Sequence, residues 1–509
     1  MRGVWTLLVL LGAFALVAST AAAHPERQAF FPDPNKGAVP KYSGHNAKAL
    51  IVCRSDSKQR IKSIFKGRKQ ARKKRIRLRQ AKKCRFRNIQ TAVNHAKTND
   101  RIQILPGVYK ELPSRKVPVD QAACRSMFET PEDGDAPVPN FEHQVKCPNS
   151  RNLIAIVGDS LADPDRECDH RCNLLMEGLG RRPKDVKIEG DRLKKDVIRA
   201  DRADGFYLRN VWVEQGAFND VDVVETNGFH LRQLVTPFAQ NYGVLTFASD
   251  HGLYEHIDAY ANGDSGIYPG SGPEGHCKRY GIEIRNVNSH DNVLGYSGTA
   301  GNGTWTHNSS FHDNNAGISD DSFASGHPGM PQDCSKWTAN QVYSNNANFF
   351  TNDRDAYCKN TPFEKRPKTI VCPQFQVPVG SGFILYGVNA NIIQDNTIYD
   401  NWRSGVRLFW VPAAIRGDND PNHQFDTSNG NKFIHNQFGY AKGKRQPNGV
   451  DIFWDEQGID NCWAGNVAPG APGGKITSDP AVLPICPQGS IFQQSNASKT
   501  AAEAPCAQW

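Results

Sequence analysis

Two adjacent carboxylates, Asp320 and Asp321, followed at short range by His327, are the sharpest chemical feature of this 509-residue chain. Neighbouring carboxyls raise one another's pKa and can split into an acid and a base, the division that glycoside hydrolysis uses. Two such groups also suit a hard cation, and Ca2+ is the one expected here, with no other cofactor called for. The same pair reads equally as turn caps or a structural ion site. Arg407 has the planar fork that binds a uronate carboxylate through two hydrogen bonds. Tyr268, Trp410, Asp451 and Trp454 are the candidate substrate-binding residues, aromatic faces for sugar rings and an acceptor for hydroxyls. His290 and His312 each precede an aspartate, Asp291 and Asp313, in matching positions. Each pair can act as a base or stand in a polar ladder of turn residues.

A repeat positions these residues. Gly205-Phe-Tyr-Leu, Gly228-Phe-His-Leu, Gly252-Leu-Tyr-Glu and Gly281-Ile-Glu-Ile follow one another at intervals of 23, 24 and 29 residues. A second register runs through the Asn-rich turns Asn286–Asn292, Asn308–Asn314, Asn340–Asn346 and Asn396–Asn401. A period in the low twenties with two-residue alternation predicts a β-solenoid, of about ten coils. Asn suits its turns, because it tolerates left-handed backbone and its amide can bond the same residue one coil on. A second strand of each unit opens at Gly243, Gly266, Gly295, Gly317, Asn348, Gly405 and Gly449. Insertions 269–279, 322–335, 353–380 and 411–430 follow these strands, so they emerge on one side and frame a cleft. Alternation turns Tyr268, Ser297, Ser319, Asp321, Asn352, Arg407, Phe409 and Asp451 outward onto it. Asp320, Asp353, Trp410, Trp454 and Asp455 stand at strand ends, where the alternation leaves their facing open.

Asn88–Asp100 has a helix pattern, with Ile89, Val93 and Ala96 on one face, and Leu105-Pro-Gly-Val-Tyr109 follows it. This helix, short strand and Leu-Pro-Gly-Val-Tyr turn resemble the capped start of the pectate-lyase-like right-handed parallel β-helix proteins. The resemblance is nearest to secreted bacterial members and covers about 90–110 and 186–465. It implies an all-β right-handed parallel β-helix with an N-terminal capping helix. It does not fix the activity, since polysaccharide lyases, uronan epimerases, glycoside hydrolases and non-catalytic surface proteins share the fold. Hydrolases of this fold that cleave polygalacturonan carry a tandem Asp and a later Gly-His-Gly. This chain has His-Pro-Gly, too close to the pair, and lacks the preceding Asn-Thr-Asp.

Met1–Ala23 reads as a signal peptide: a positive start, a short apolar run and a small-residue end. The expected location is therefore extracellular, with no transmembrane segment. Residues 24–52 read as an extension, 53–110 as a basic segment and cap, 111–185 as a disulfide-rich insertion, 186–465 as the β-helix and 466–509 as a tail. The chain carries 61 Lys and Arg against 52 acids, a net charge of +9. Sixteen of those cations, with no acid, lie between Lys58 and Arg87, so the rest of the chain is mildly acidic. Such a run binds polyanions, or stands as a solvated, partly disordered insertion; no base-reading motif points to specific nucleic acid recognition. Of 13 Cys, proximity pairs Cys53 with Cys84, Cys124 with Cys147, Cys168 with Cys172, Cys358 with Cys372 and Cys462 with Cys486. Two functions follow. One is a monomeric enzyme, lyase, epimerase or hydrolase, on an acidic polysaccharide. The other is a non-catalytic surface protein that uses the solenoid as scaffold and the basic run for adhesion.

Overall fold

The computed structural model describes residues 26–45, 48–130, 137–161, 166–323, 327–490 and 499. Short strands wind into two long parallel sheets, one of 19 strands and one of 11. The 11-stranded sheet runs from Asn152–Val157 through Ser265–Gly270, Leu294–Thr299, Ala316–Asp321, Ser381–Tyr386 and Ser404–Phe409 to Val450–Trp454 and Ser478–Asp479. Register is kept coil after coil. Ile267, Tyr296, Ile318, Phe383, Val406 and Ile452 stand one above the next. All six belong to one buried core with Val342, Ile398 and Phe438 from the larger sheet. Stacked coils that each bury one apolar row make a right-handed parallel β-helix, with one coil more than the expected ten in the smaller sheet.

Asparagines hold the corners. Asn262, Asn292, Asn314, Asn345, Asn401 and Asn448 pass side-chain hydrogen bonds from Nδ2 to Oδ1 down the stack at 2.9–3.2 Å. A second ladder links Asn340, Asn396, Asn436 and Asn466 at 3.0 Å. Beside the first ladder the opening glycines have no alternative. A Cβ on Gly317 would lie 2.7 Å from the Gly382 carbonyl oxygen and 2.8 Å from Asn345 Nδ2.

The ends differ from the sequence expectation. The basic run forms two helices, Ser57–Ile64 and Ala71–Lys82. Ile61 and Phe65 are buried against Leu105 and Leu179, so the segment is packed and not a loose insertion. The expected helix forms at Ile89–His95, with Ile89, Ala92 and Val93 in the main core. Glu111 accepts the Ile89 and Gln90 amides at its N-terminus, both at 2.8 Å. The stretch 111–185 supplies strands Asn152–Val157 and Leu175–Gly178, so the ladder starts upstream of residue 186. Those strands lack the leading Gly that marks later coils. All five proximity-paired disulfides are present, and a sixth joins Cys277 to Cys334. That bridge, 57 residues long, ties the insertions 269–279 and 322–335 together. The signal-peptide segment and Cys506 lie outside the described residues.

Candidate functional site

The outer face of the 11-stranded sheet carries, one per coil, Arg199, Asp222, Leu245, Tyr268, Ser297, Ser319, Ile384, Arg407 and Phe453. At its middle Tyr268 stacks on Tyr242 with centroids 4.8 Å apart. The Tyr268 hydroxyl lies 3.3 Å from His327 Nε2, within hydrogen-bond distance. It also bonds the side chain of Thr299. Thr299 in turn donates to Asp321 Oδ1 at 2.9 Å, and the Phe323 amide donates to the same oxygen at 3.3 Å. His327, Tyr268, Thr299 and Asp321 thus form one polar chain across three coils. Burial pushes the Asp321 carboxyl up to about 6, against the three hydrogen bonds that favour its anion. Burial likewise raises Tyr268, so it stays a neutral phenol. Asp264, facing Tyr242, is raised well above the usual carboxyl range by its burial. Exposure is slight: Tyr268 2% and Asp321 6%.

Asp320 is not part of this arrangement. It shares an interior row with Gly298, Leu385, Leu408 and Trp454, on the opposite side of the strand from Asp321. Its Oδ2 accepts a hydrogen bond from Asn391 Nδ2 at 3.4 Å, and its Oδ1 is buried without one. The expected paired-carboxylate catalyst and the shared Ca2+ site are therefore corrected: strand pleat separates the two groups. Among the described residues no cluster of three His, Cys, Asp or Glu side chains could hold a metal.

Arg407 does face outward, two coils beyond Ser319, with its guanidinium against the rings of Phe409 and Phe453 at 5.2 and 4.8 Å. Trp410 is spent on structure, donating to the Gln424 carbonyl at 3.0 Å and stacking on Phe425. Asp451 is a turn clamp, accepting from Asn448 and from Thr477. Trp454 lies inside the coil against Trp463. Asn352 and Asp353 begin a helix, Asn352–Asn360, instead of standing on a strand. His290 and His312 stack between Tyr260 and Tyr343 on the larger sheet, away from this face. Although burial opposes it, Asp258 and Asp291 hold His290 charged, pushed up to about 9, which ill suits a base.

Tyr242, Asp264 and Thr299 belong to the site and were not singled out from sequence. Thr299 had a signal, because it stands four places after Gly295 as Asp321 stands four after Gly317. Toward the first coils the same face is sealed by the chain's own N-terminal segment. Arg27 binds Asp201 and Glu225, and Arg199 binds Glu26, Asp201 and Asp222, all deeply buried.

No family model and no curated protein matches the chain. Among solved structures it is similar to the pectate lyase Pel9A, with 11% identity over 76% of this chain and 73% of that one, TM-score 0.37. The A-module of the Azotobacter vinelandii mannuronan C-5 epimerase AlgE4 shares 14% identity over 77% of this chain and 94% of its own, TM-score 0.40. The Agl-KA catalytic domain shares 10% over 85% and 66%, TM-score 0.33. In fold the chain is a right-handed parallel β-helix.

Proposed function

We propose that the protein is an extracellular carbohydrate-active β-helix that binds an acidic polysaccharide across the 11-stranded sheet and transfers a proton on it. The observation that carries this is the hydrogen-bonded group His327–Tyr268–Thr299–Asp321 on the outward face. A uronate carries an acidic C–H beside its carboxylate. A base removes that proton, and an acid either protonates the leaving oxygen, giving elimination, or returns a proton to the other face of the same carbon, giving epimerisation. Tyr268 and His327 supply such a pair at hydrogen-bond distance. Hydrolysis is disfavoured, since it needs two carboxyls flanking the bond and Asp320 points inward. Arg407, four coils or roughly 20 Å along the rod from Tyr268, takes the carboxylate of a uronate further along the polymer. Six disulfides fit an oxidising, extracellular setting.

Incubation with a panel of uronic-acid polymers, read by ultraviolet absorbance for unsaturated ends and by NMR for epimerised residues, tests the proposal. Wild-type protein should give one product, and Tyr268→Phe should lower its rate at least a hundredfold with an unchanged melting temperature. The rate should fall as pH drops through about 6, where Asp321 takes up its proton. Full activity of Tyr268→Phe sinks the assignment. The near-complete burial of Tyr268 and Asp321 favours a second reading, binding without turnover. Polymer binding that is lost in Arg407→Gln, with no product from any substrate, would establish it.

A further inference from the structure

The helix Ala71–Lys82 does not lie flat on the solenoid. Between it and the outer side of strands Leu175–Gly178, Phe206–Glu214 and Asn227–Pro237 is a cleft of about 410 Å3. Lys73 and Arg77 line it from the helix, and Arg181, Arg209, Glu177 and Gln233 from the coils. Four cations thus face one carboxylate, and none of the four makes an ion pair within 4.0 Å among the described residues. The Glu177 carboxylate is already engaged, accepting from Gln103 Nε2 at 2.7 Å and the Tyr42 hydroxyl at 3.0 Å. Arg77 and Arg209 are half-buried, and the Nε of each is buried without an acceptor. Gln80 accepts from Arg77 Nη1 at 2.9 Å and, through Gln103, connects it to Glu177. Arg209 is held over the Tyr42 ring at 4.9 Å. Both guanidinium groups are therefore positioned before any ligand arrives.

Like charges gathered in a partly desolvated cleft repel one another, and an anion removes that repulsion. Guanidinium forks match tetrahedral oxyanions in bidentate fashion, and two of them with two ammonium or guanidinium neighbours favour a doubly charged group over a single carboxylate. The volume admits such a group together with the sugar ring that bears it. Of the residues that line the cleft Phe65 alone is aromatic, and it is buried, so it offers no ring face for base stacking. We infer that this cleft is a binding site for a sulfate or phosphate ester carried on a glycan, separate from the Tyr268 face and independent of its chemistry.

Calorimetric titration of the full chain with inorganic sulfate, inorganic phosphate, a sulfated galactan oligosaccharide and its desulfated counterpart tests the inference. The two free ions tell sulfate from phosphate preference. The sulfated oligosaccharide should bind at least tenfold more tightly than the desulfated one. Arg77→Gln with Arg209→Gln should remove that advantage. Lys58→Gln with Lys62→Gln deletes equal charge from the same basic run outside the cleft and should change affinity less than twofold. Should the Gln pair in the cleft fail to fold, Arg77→Lys with Arg209→Lys keeps charge and loses the forks, and should weaken binding several-fold. Equal losses from the two charge-matched doubles would overturn the site in favour of diffuse attraction. So would equally tight binding of a single-stranded oligonucleotide of matched charge, or no preference for the sulfated oligosaccharide.

Discussion

A carboxyl sealed inside a coil stack, as Asp320 is, holds its proton to higher pH than a free carboxyl because burial withdraws the water that would solvate its anion. Its folded-state pKa lies above its unfolded value near 4, so its contribution is fully present below that value and lost as pH rises towards the folded pKa. Stability should therefore fall with rising pH above about 4, by up to about 1.4 kcal/mol per unit from this group. Asp320→Asn keeps the volume and the Asn391 neighbour without an ionisable proton. Thermal melts from pH 4 to 8 should show a shallower decline for this variant than for wild type, and an unaltered slope would place the titration elsewhere. Asp321→Asn, one position away, should instead lower the rate on a uronate polymer while leaving that slope less affected. The two acids were legible in the sequence as a pair but not as opposites. Alternation gives facing only once a strand's ends are known, and this strand ends at Asp321 itself.

At the scale of the element, one corner asparagine serves three coils. Asn314 accepts at Oδ1 from the amide and side chain of Asn292, and donates to Ser289 and Asn345. Asn314→Ala strands several buried partners and should cost roughly 3 kcal/mol in urea denaturation. A loss under about 0.5 kcal/mol would mean that water replaces the ladder. The regularity that revealed the fold came from these corners, since Asn and the glycines beside them are dictated by contacts under 3 Å. Where a coil satisfied its turns differently, as around Asn152–Val157, the repeat could not be read. Chain proximity likewise found the short disulfides and missed Cys277–Cys334, whose partners meet only because the solenoid folds two insertions back together. The site was half legible. Tyr268, Asp321, His327 and Arg407 lie on the predicted face, whereas Asp451, Trp410 and Trp454 were absorbed by turns and core.

At the scale of the whole molecule, a buried electrostatic assembly binds Glu26 and Arg27 to the first coils of the smaller sheet. Arg27, Arg199 and Arg202 share Glu26, Asp159, Asp201, Asp222 and Glu225 with almost no water. Removing one partner leaves an uncompensated buried charge, so Arg27→Ala should cost about 3–5 kcal/mol. Screening by salt should barely alter that loss, because the pairs are out of solvent. A melting temperature within a degree of wild type would show that the segment contributes nothing to stability.

The same anchoring has a consequence in time. Arg27 finds its acceptors 174 and 198 residues further along the chain. At a synthesis rate of about 5–20 residues per second, those coils follow roughly 10–40 seconds after Arg27 is made. Arg27 is thus made well before the carboxylates on which it docks. During that interval Glu26, Arg27 and the residues beside them are open to any enzyme or chaperone that reads an extended segment. Once Asp201 and Glu225 are in place, that window closes.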